Sequence, residues 1–234
     1  MASQPQGRAV IMKLRSVALG ILVAFALTAC SVGSLGGLRG SGNIVSETRE
    51  IGGFGEVAVS GSARVFLTQG DTQSLVVEVD DNLLEHVRAE VEGSTLHLGF
   101  TGTVGGFAPS ESLTFHLTVR RIRGLELSGS GSIEATDMNI PRLAVDVSGS
   151  GKVRLTGKLE EQDIRLSGSG TYDGGNAETE TISVRVSGSG NATVWATELL
   201  EARLSGSGRV SYYGQPRVSQ DISGSGQVKS LGTR

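Results

Sequence analysis

The tetrapeptide Ser-Gly-Ser-Gly occurs six times, starting at Ser128, Ser148, Ser167, Ser187, Ser205 and Ser223. The spacings are 20, 19, 20, 18 and 18 residues. Repetition at about 19 residues is the mark of a solenoid, whose units bury their apolar faces only by stacking. Around each copy the residues alternate. Val184, Val186, Gly188, Gly190, Ala192 and Val194 fall on one parity; Arg185, Ser187, Ser189, Asn191 and Thr193 fall on the other. The same holds around Leu125, Val145 and Ile164. Period-two alternation with one apolar face is a β-strand half-buried in a sheet.

The alternation passes through each glycine pair without losing register, so both glycines are expected to point inward and both serines outward. Glycine in a strand marks a bend or a close approach of backbones. Identical copies in one register favour parallel coils, about 4.8 Å apart, over a hairpin array with turns at half the period. Parallel crossovers are generally right-handed. The expectation is an all-β, single-stranded, right-handed parallel β-helix. Ser60-Gly-Ser-Ala63 is a weaker copy of the corner, and Gly40-Ser-Gly-Asn43 a weaker one still. The stretch from Gly61 to Gly129 keeps the alternation and has room for about three coils of about 23 residues. The body then comes to about ten coils, or about 43 Å. Within it, Asp80 to Val87 reads as a short helix capped by Asp80 and Asp81.

Residues 17–29 are an uninterrupted largely apolar run behind Lys13 and Arg15, ending Leu27-Thr-Ala-Cys30. The run is too short to span a bilayer and fits a signal peptide, with translation starting at Met1 or Met12. Its end resembles the lipobox of bacterial lipoproteins, in which the cysteine is acylated and becomes the mature N-terminus. The domains expected are a lipoprotein signal peptide (1–29), a lipidated Cys30 with a flexible tether (30–37), and the solenoid (38–234). Several acyl chains at about 0.8 kcal/mol per buried CH₂ make a durable membrane anchor. Ser31 after the cysteine implies outer-membrane sorting in a cell with two membranes, and otherwise the outer face of the cell membrane.

Beyond residue 30 the chain carries 18 Lys+Arg against 24 Asp+Glu, a poor footprint for nucleic acid. Cys30 is the only cysteine, which excludes an internal disulfide and a thiolate metal cluster. His86, His97 and His116 are too scattered for a metal site. The serine ladder has no recurring base beside it, and a serine nucleophile without a base is inert. No cofactor, metal or catalytic residue is expected.

Stacking turns equivalent outward positions into columns. Two residues before each corner stand Glu126, Asp146, Arg165, Arg185, Arg203 and Asp221. The run Arg165, Arg185, Arg203 offers a grip on an anionic ligand, or it is a solvated face compensated by Asp163 and Glu201. Eight residues after each corner start stand Thr136, Thr156, Gly175, Trp195, Tyr213 and Leu231. Trp195, Tyr213 and Leu231 form an outward patch. It could stack on a sugar, meet a partner subunit, or lie under the C-terminal tail. Tyr172 and Tyr212 read as core.

An ordered set of motifs, Gly40-Ser-Gly-Asn-Ile, Phe54-Gly-Glu-Val-Ala-Val-Ser-Gly-Ser, Leu67-Thr-Gln-Gly-Asp71, Asp80-Asp-Asn-Leu-Leu84 and the Ser-Gly-Ser-Gly array, resembles the GIN domain of auto-transporter adhesin heads. The resemblance implies a right-handed parallel β-helix and an adhesin-like role, with no catalytic residues to carry over. The function expected is an envelope-anchored binding scaffold, partnered by the membrane through Cys30 and by a surface glycan or protein, with a homo-oligomer open. A polysaccharide-active β-helix enzyme and a self-assembling envelope protein are the alternatives.

Overall fold

A computed structural model describes residues 37–102 and 106–234. The signal peptide, Cys30 and most of the tether lie outside the described residues. The described body is a β-solenoid whose successive coils pair in parallel. It makes about five turns, not ten.

Each turn has two walls joined at a Ser-Gly-Ser-Gly corner, then a return side. The first wall stacks Gly124–Gly129 on 144–149, 163–168, 183–188, 201–206 and Arg217–Gly224. The second stacks 132–135, 152–154, 171–173, 191–193, Arg209–Tyr213 and Gln227–Ser230. Strands Ser132–Gly149, Lys152–Gly168 and Thr171–Gly188 are long because they run through the return side into the next wall. Register shifts between Ala135 and Met138 and between Arg154 and Thr156 absorb the unequal repeat lengths there. Inward residues form continuous columns, one of which is Leu127, Val147, Leu166, Val186 and Leu204, all buried. Burying each such side chain is worth about 1.5–3 kcal/mol.

The corner differs from the sequence expectation in one respect. Only the second glycine of each pair faces the core: Gly151 and Gly170 are buried, whereas Gly149 and Gly168 are exposed. The first glycine is demanded by its backbone. Gly149 has φ +109° and Gly168 +106°, and a Cβ on Gly168 would lie 2.7 Å from the carbonyl oxygen of Gly149. That same oxygen accepts the N–H of Ser169 at 2.8 Å, so the ladder continues around the bend. The tetrapeptide therefore encodes a hydrogen-bonded corner, with a side chain forbidden for a different reason at each glycine.

Residues 61–129 do not form three further coils. Strands Glu56–Gly61 and Arg64–Gln69 make one layer that stacks directly on Gly124–Gly129 and 132–136. Thr95–Phe100 and Thr114–Val119 add one more parallel layer on the far side of it. The rest is an antiparallel closure. Val87–Glu92 runs against Thr95–Phe100; Ser74–Asp80 runs against Thr114–Val119, and Ile44–Arg49 against Ser74–Asp80. The 3₁₀ helix Asp81–His86 lies between them with Leu83 fully buried.

Gly40-Ser-Gly-Asn43 is likewise not a corner. It wraps the turn that starts at Asp80. The carboxylate of Asp80 is fully buried and accepts from the N–H of Gly42 (2.8 Å) and from the N–H (2.9 Å) and hydroxyl (2.5 Å) of Ser110. Asp81 accepts from Ser41 Oγ (2.5 Å) and Asn43 Nδ2 (3.0 Å). Asp80 occupies the helix N-cap without a side-chain capping bond, so the reading of it as a cap is replaced by that of a latch. Burial pushes the Asp80 carboxyl up, but the bonds from Ser110 and Gly42 outweigh it and hold it below the usual range. The bond from Ser41, then that from Asn43, lowers Asp81 in the same way.

Candidate functional site

Three surfaces are candidates, and each follows from how the coils register. The first is the arginine column. Arg165 lies directly beside Arg185, and Arg185 beside Arg203, with Asp146 and Asp221 at the two ends. The stacking predicted from sequence is therefore present. Its charge is partly spent: Asp163 holds Arg165 at 2.8 Å and Arg185 at 2.9 Å. Exposed pairs of this kind are worth about 0–1 kcal/mol and exchange readily for another anion. Arg203 has no ion pair among the described residues, and Glu201 stands two positions before it.

The second is the aromatic patch. Trp195 and Tyr213 are neighbours in the ladder. A register shift places Trp195 beside Glu178 instead of Gly175. Leu231, exposed, donates its N–H to the carbonyl of Tyr212 at 2.8 Å and so adjoins the pair. The guanidinium of Arg234 lies 4.8 Å from the ring centre of Tyr213 and 5.8 Å from that of Trp195. Arg234 also bonds Asn176. The C-terminal residue thus occupies the face on which a ligand ring would stack, a cation–π arrangement worth about 0.5–1 kcal/mol. Tyr172 is core, as expected, and Tyr212 is half-buried against it.

The third was not singled out in the sequence. Where the return segments 120–123 and 139–142 run side by side, they leave a cleft of about 660 Å³ lined by Arg120, Arg121, Arg123 and Arg142. Phe54, Ile122 and Ile140, nearly buried, form its apolar floor. Gln69 joins the two segments: its Nε2 donates to the carbonyls of Arg120 and Asn139, both at 3.2 Å, and its Oε1 accepts from Asn139 N–H at 2.7 Å. Arg123 pairs with Glu56 at 3.0 Å and Arg142 with Glu161. The bond from Arg123, then one from Thr95, holds Glu56 below the usual carboxylate range. Arg120 donates to the carbonyl of Asp71, and neither Arg120 nor Arg121 has an ion pair among the described residues. The signal was present as Arg120-Arg121-Ile-Arg123, three cations in four residues. Reasoning from columns passes over it, because the run belongs to a connection outside the repeat.

Comparison with known proteins places this architecture. The family model described as "Putative auto-transporter adhesin, head GIN domain" matches residues 53–216. A Bacteroides fragilis protein described as a "putative adhesin" has the same fold, with 19% identity and a TM-score of 0.67 over 83% of this chain and 100% of that one. A Parabacteroides distasonis protein described as a "putative lipid binding protein" matches at 21% identity and TM-score 0.55, over 83% of this chain and 99% of its own. No curated protein matches the chain.

Proposed function

We propose, from the premise that this chain belongs to the GIN-domain family of auto-transporter adhesin heads, that it is an adhesin-like scaffold of the bacterial cell envelope. It is anchored by lipid at Cys30 and acts by binding without catalysis. The observation that carries this reading is the unbroken parallel register through six corners. A wall in such register presents like side chains at a fixed spacing of about 4.8 Å. Groups so spaced suit a polymer with a repeated acidic unit, because several weak contacts made together hold more firmly than their separate affinities suggest. Arg165, Arg185 and Arg203 are the residues assigned to that contact, and their partner Asp163 is displaced by the ligand. Trp195, Tyr213 and Leu231 are assigned to its flank, with Arg234 moving aside if they engage. The family points to a cell-surface location, and Leu27-Thr-Ala-Cys30 supplies the attachment.

Two measurements on the full chain test the reading. Expressed in bacteria fed an alkyne-tagged palmitate, the wild type should take up label and Cys30→Ser should not; equal labelling of the variant refutes the anchor. Cells displaying the chain should adhere to a surface coated with an acidic polysaccharide. The triple change of Arg165, Arg185 and Arg203 to Ala should lower that adhesion by about fivefold or more. Undiminished adhesion removes the column from the binding surface.

A further inference from the structure

We propose that the cleft formed by Arg120, Arg121, Arg123 and Arg142 is a binding site for a phosphate group carried on a larger molecule. The site is separate from the arginine column and stands whether or not Cys30 is lipidated. Four observations support it. The cleft is lined by four arginines and no acidic residue, on a body in which acids outnumber bases 24 to 18 beyond residue 30. Two of the four are neutralised from outside the cleft by Glu56 and Glu161. That leaves the charge of Arg120 and Arg121 for a ligand. The backbone beneath them is held by Gln69, whose three hydrogen bonds tie both segments together, so the backbone that carries the cations is fixed before the ligand arrives.

The chemistry of the lining selects the ligand class. Planar guanidinium forks match the oxygens of phosphate, each donating paired hydrogen bonds. A volume of about 660 Å³ is within the range of organic ligand sites and far exceeds a bare phosphate ion. The floor of Phe54, Ile122 and Ile140 offers the rest of the ligand apolar contact. An adjoining lobe carries Asp71 and Asp137 beside the same Arg120 and Arg121. The anion is therefore placed in the cleft that holds Phe54, Ile122 and Ile140, whose lining lacks those carboxylates. A lipid headgroup and a soluble phosphorylated sugar both present this chemistry.

The full chain, purified in a nonionic detergent and phosphate-free buffer, is titrated by calorimetry with three probes: glycerol 3-phosphate, monomeric dihexanoyl phosphatidylglycerol, and dihexanoyl phosphatidylcholine. Saturable binding of glycerol 3-phosphate identifies the phosphate alone as sufficient. Binding of the phosphatidylglycerol only identifies a lipid headgroup as the source. In either case Arg120→Ala with Arg121→Ala should weaken binding about tenfold or more, while Arg209→Ala, an exposed cation on the second wall, leaves it unchanged. Should the double variant unfold, Arg121→Ala alone serves, since that side chain makes no hydrogen bond or ion pair among the described residues. Absence of binding to all three probes overturns the proposal. So does phosphatidylcholine binding as tightly as phosphatidylglycerol with no effect of the substitutions, which would indicate apolar contact only.

Discussion

The two ends of the solenoid solve the same problem differently. A stack of parallel coils leaves, at each end, a row of unpaired backbone groups and an uncovered layer of core. At the N-terminal end the chain reverses direction. Antiparallel strands extend both walls, and Leu83, Leu113 and Phe115 plug the interior with at most 2% exposure. The outermost strands there, Ile44–Arg49 and Val87–Glu92, carry Glu47, Arg49, Arg88, Glu90 and Glu92, charges that discourage pairing with another sheet. At the C-terminal end the repeat simply continues into Arg217–Gly224 and Gln227–Ser230. Ile222 is 38% exposed, whereas Leu204 in the coil beneath is 3% exposed. The last coil gains one neighbour where every interior coil gains two. Stability is therefore expected to be graded along the stack, firm at the closed end and lowest at the open one.

The largest effect comes from moving one substitution along that gradient. Gly168→Ala, in the middle, combines a positive φ with a Cβ 2.7 Å from a backbone oxygen and should cost about 3–4 kcal/mol. Gly224→Ala meets the same geometry, φ +118° and 2.5 Å from Gly206 oxygen. It should cost no more than about 2 kcal/mol, because the terminal coil can detach locally. Urea denaturation of the two variants checks the difference; equal losses would mean the stack unfolds as one unit with no soft end.

The closed end is tested at its latch. Asp80→Asn removes the charge that three donors share and should cost about 2–3 kcal/mol, with faster amide exchange at 40–43. The pH dependence has a definite sign. The folded carboxyls of Asp80 and Asp81 titrate below their unfolded values. Their contribution is complete above the ordinary aspartate range, near pH 4, and is lost as the pH falls through the lower folded values. The urea midpoint should drop on acidification from pH 5 to 3, less so in Asp80→Asn; parallel curves would exclude the latch as the source. The smallest effect belongs to the open end. Ile222→Lys should change stability by less than about 0.5 kcal/mol and reduce any concentration-dependent association seen by size-exclusion chromatography.

The contrast also explains what was legible in the sequence. The repeated half was readable because each residue there answers to one rule, alternation across a stacked wall. Arg165, Arg185 and Arg203 consequently fall side by side as spacing alone requires. The closed half obeys that rule only within each strand. Alternation in Leu75-Val-Val-Glu-Val79 is the same whether the strand pairs parallel or antiparallel, so direction is invisible in it, and spacing alone gives three coils where two parallel layers and an antiparallel closure exist. Both glycines of a corner lie on the apolar parity, which concealed that the first is fixed by φ and the second by burial. The covering of Trp195 and Tyr213 by Arg234, and the cleft around Arg121, depend on where connections and the terminus come to rest, which no period encodes.

Near-identical corners create a hazard of their own: a chain can close one repeat too early and still satisfy its backbone. One interior coil carries a mark against this. Tyr172, fully buried, donates its hydroxyl to Gln162, and Gln162 donates to Thr179. Burial, with the charge of Asp173 adding to it, pushes the phenol far up, so it stays a neutral donor. Gly174 clears the space that the ring fills. Elsewhere the equivalent inward positions hold Val153 and Ala192, which have no hydroxyl to offer. A frame-shifted coil would strand the Gln162 amide in the dry interior, a penalty of about 1–3 kcal/mol, so this trio acts as the page number that keeps repeated leaves in order.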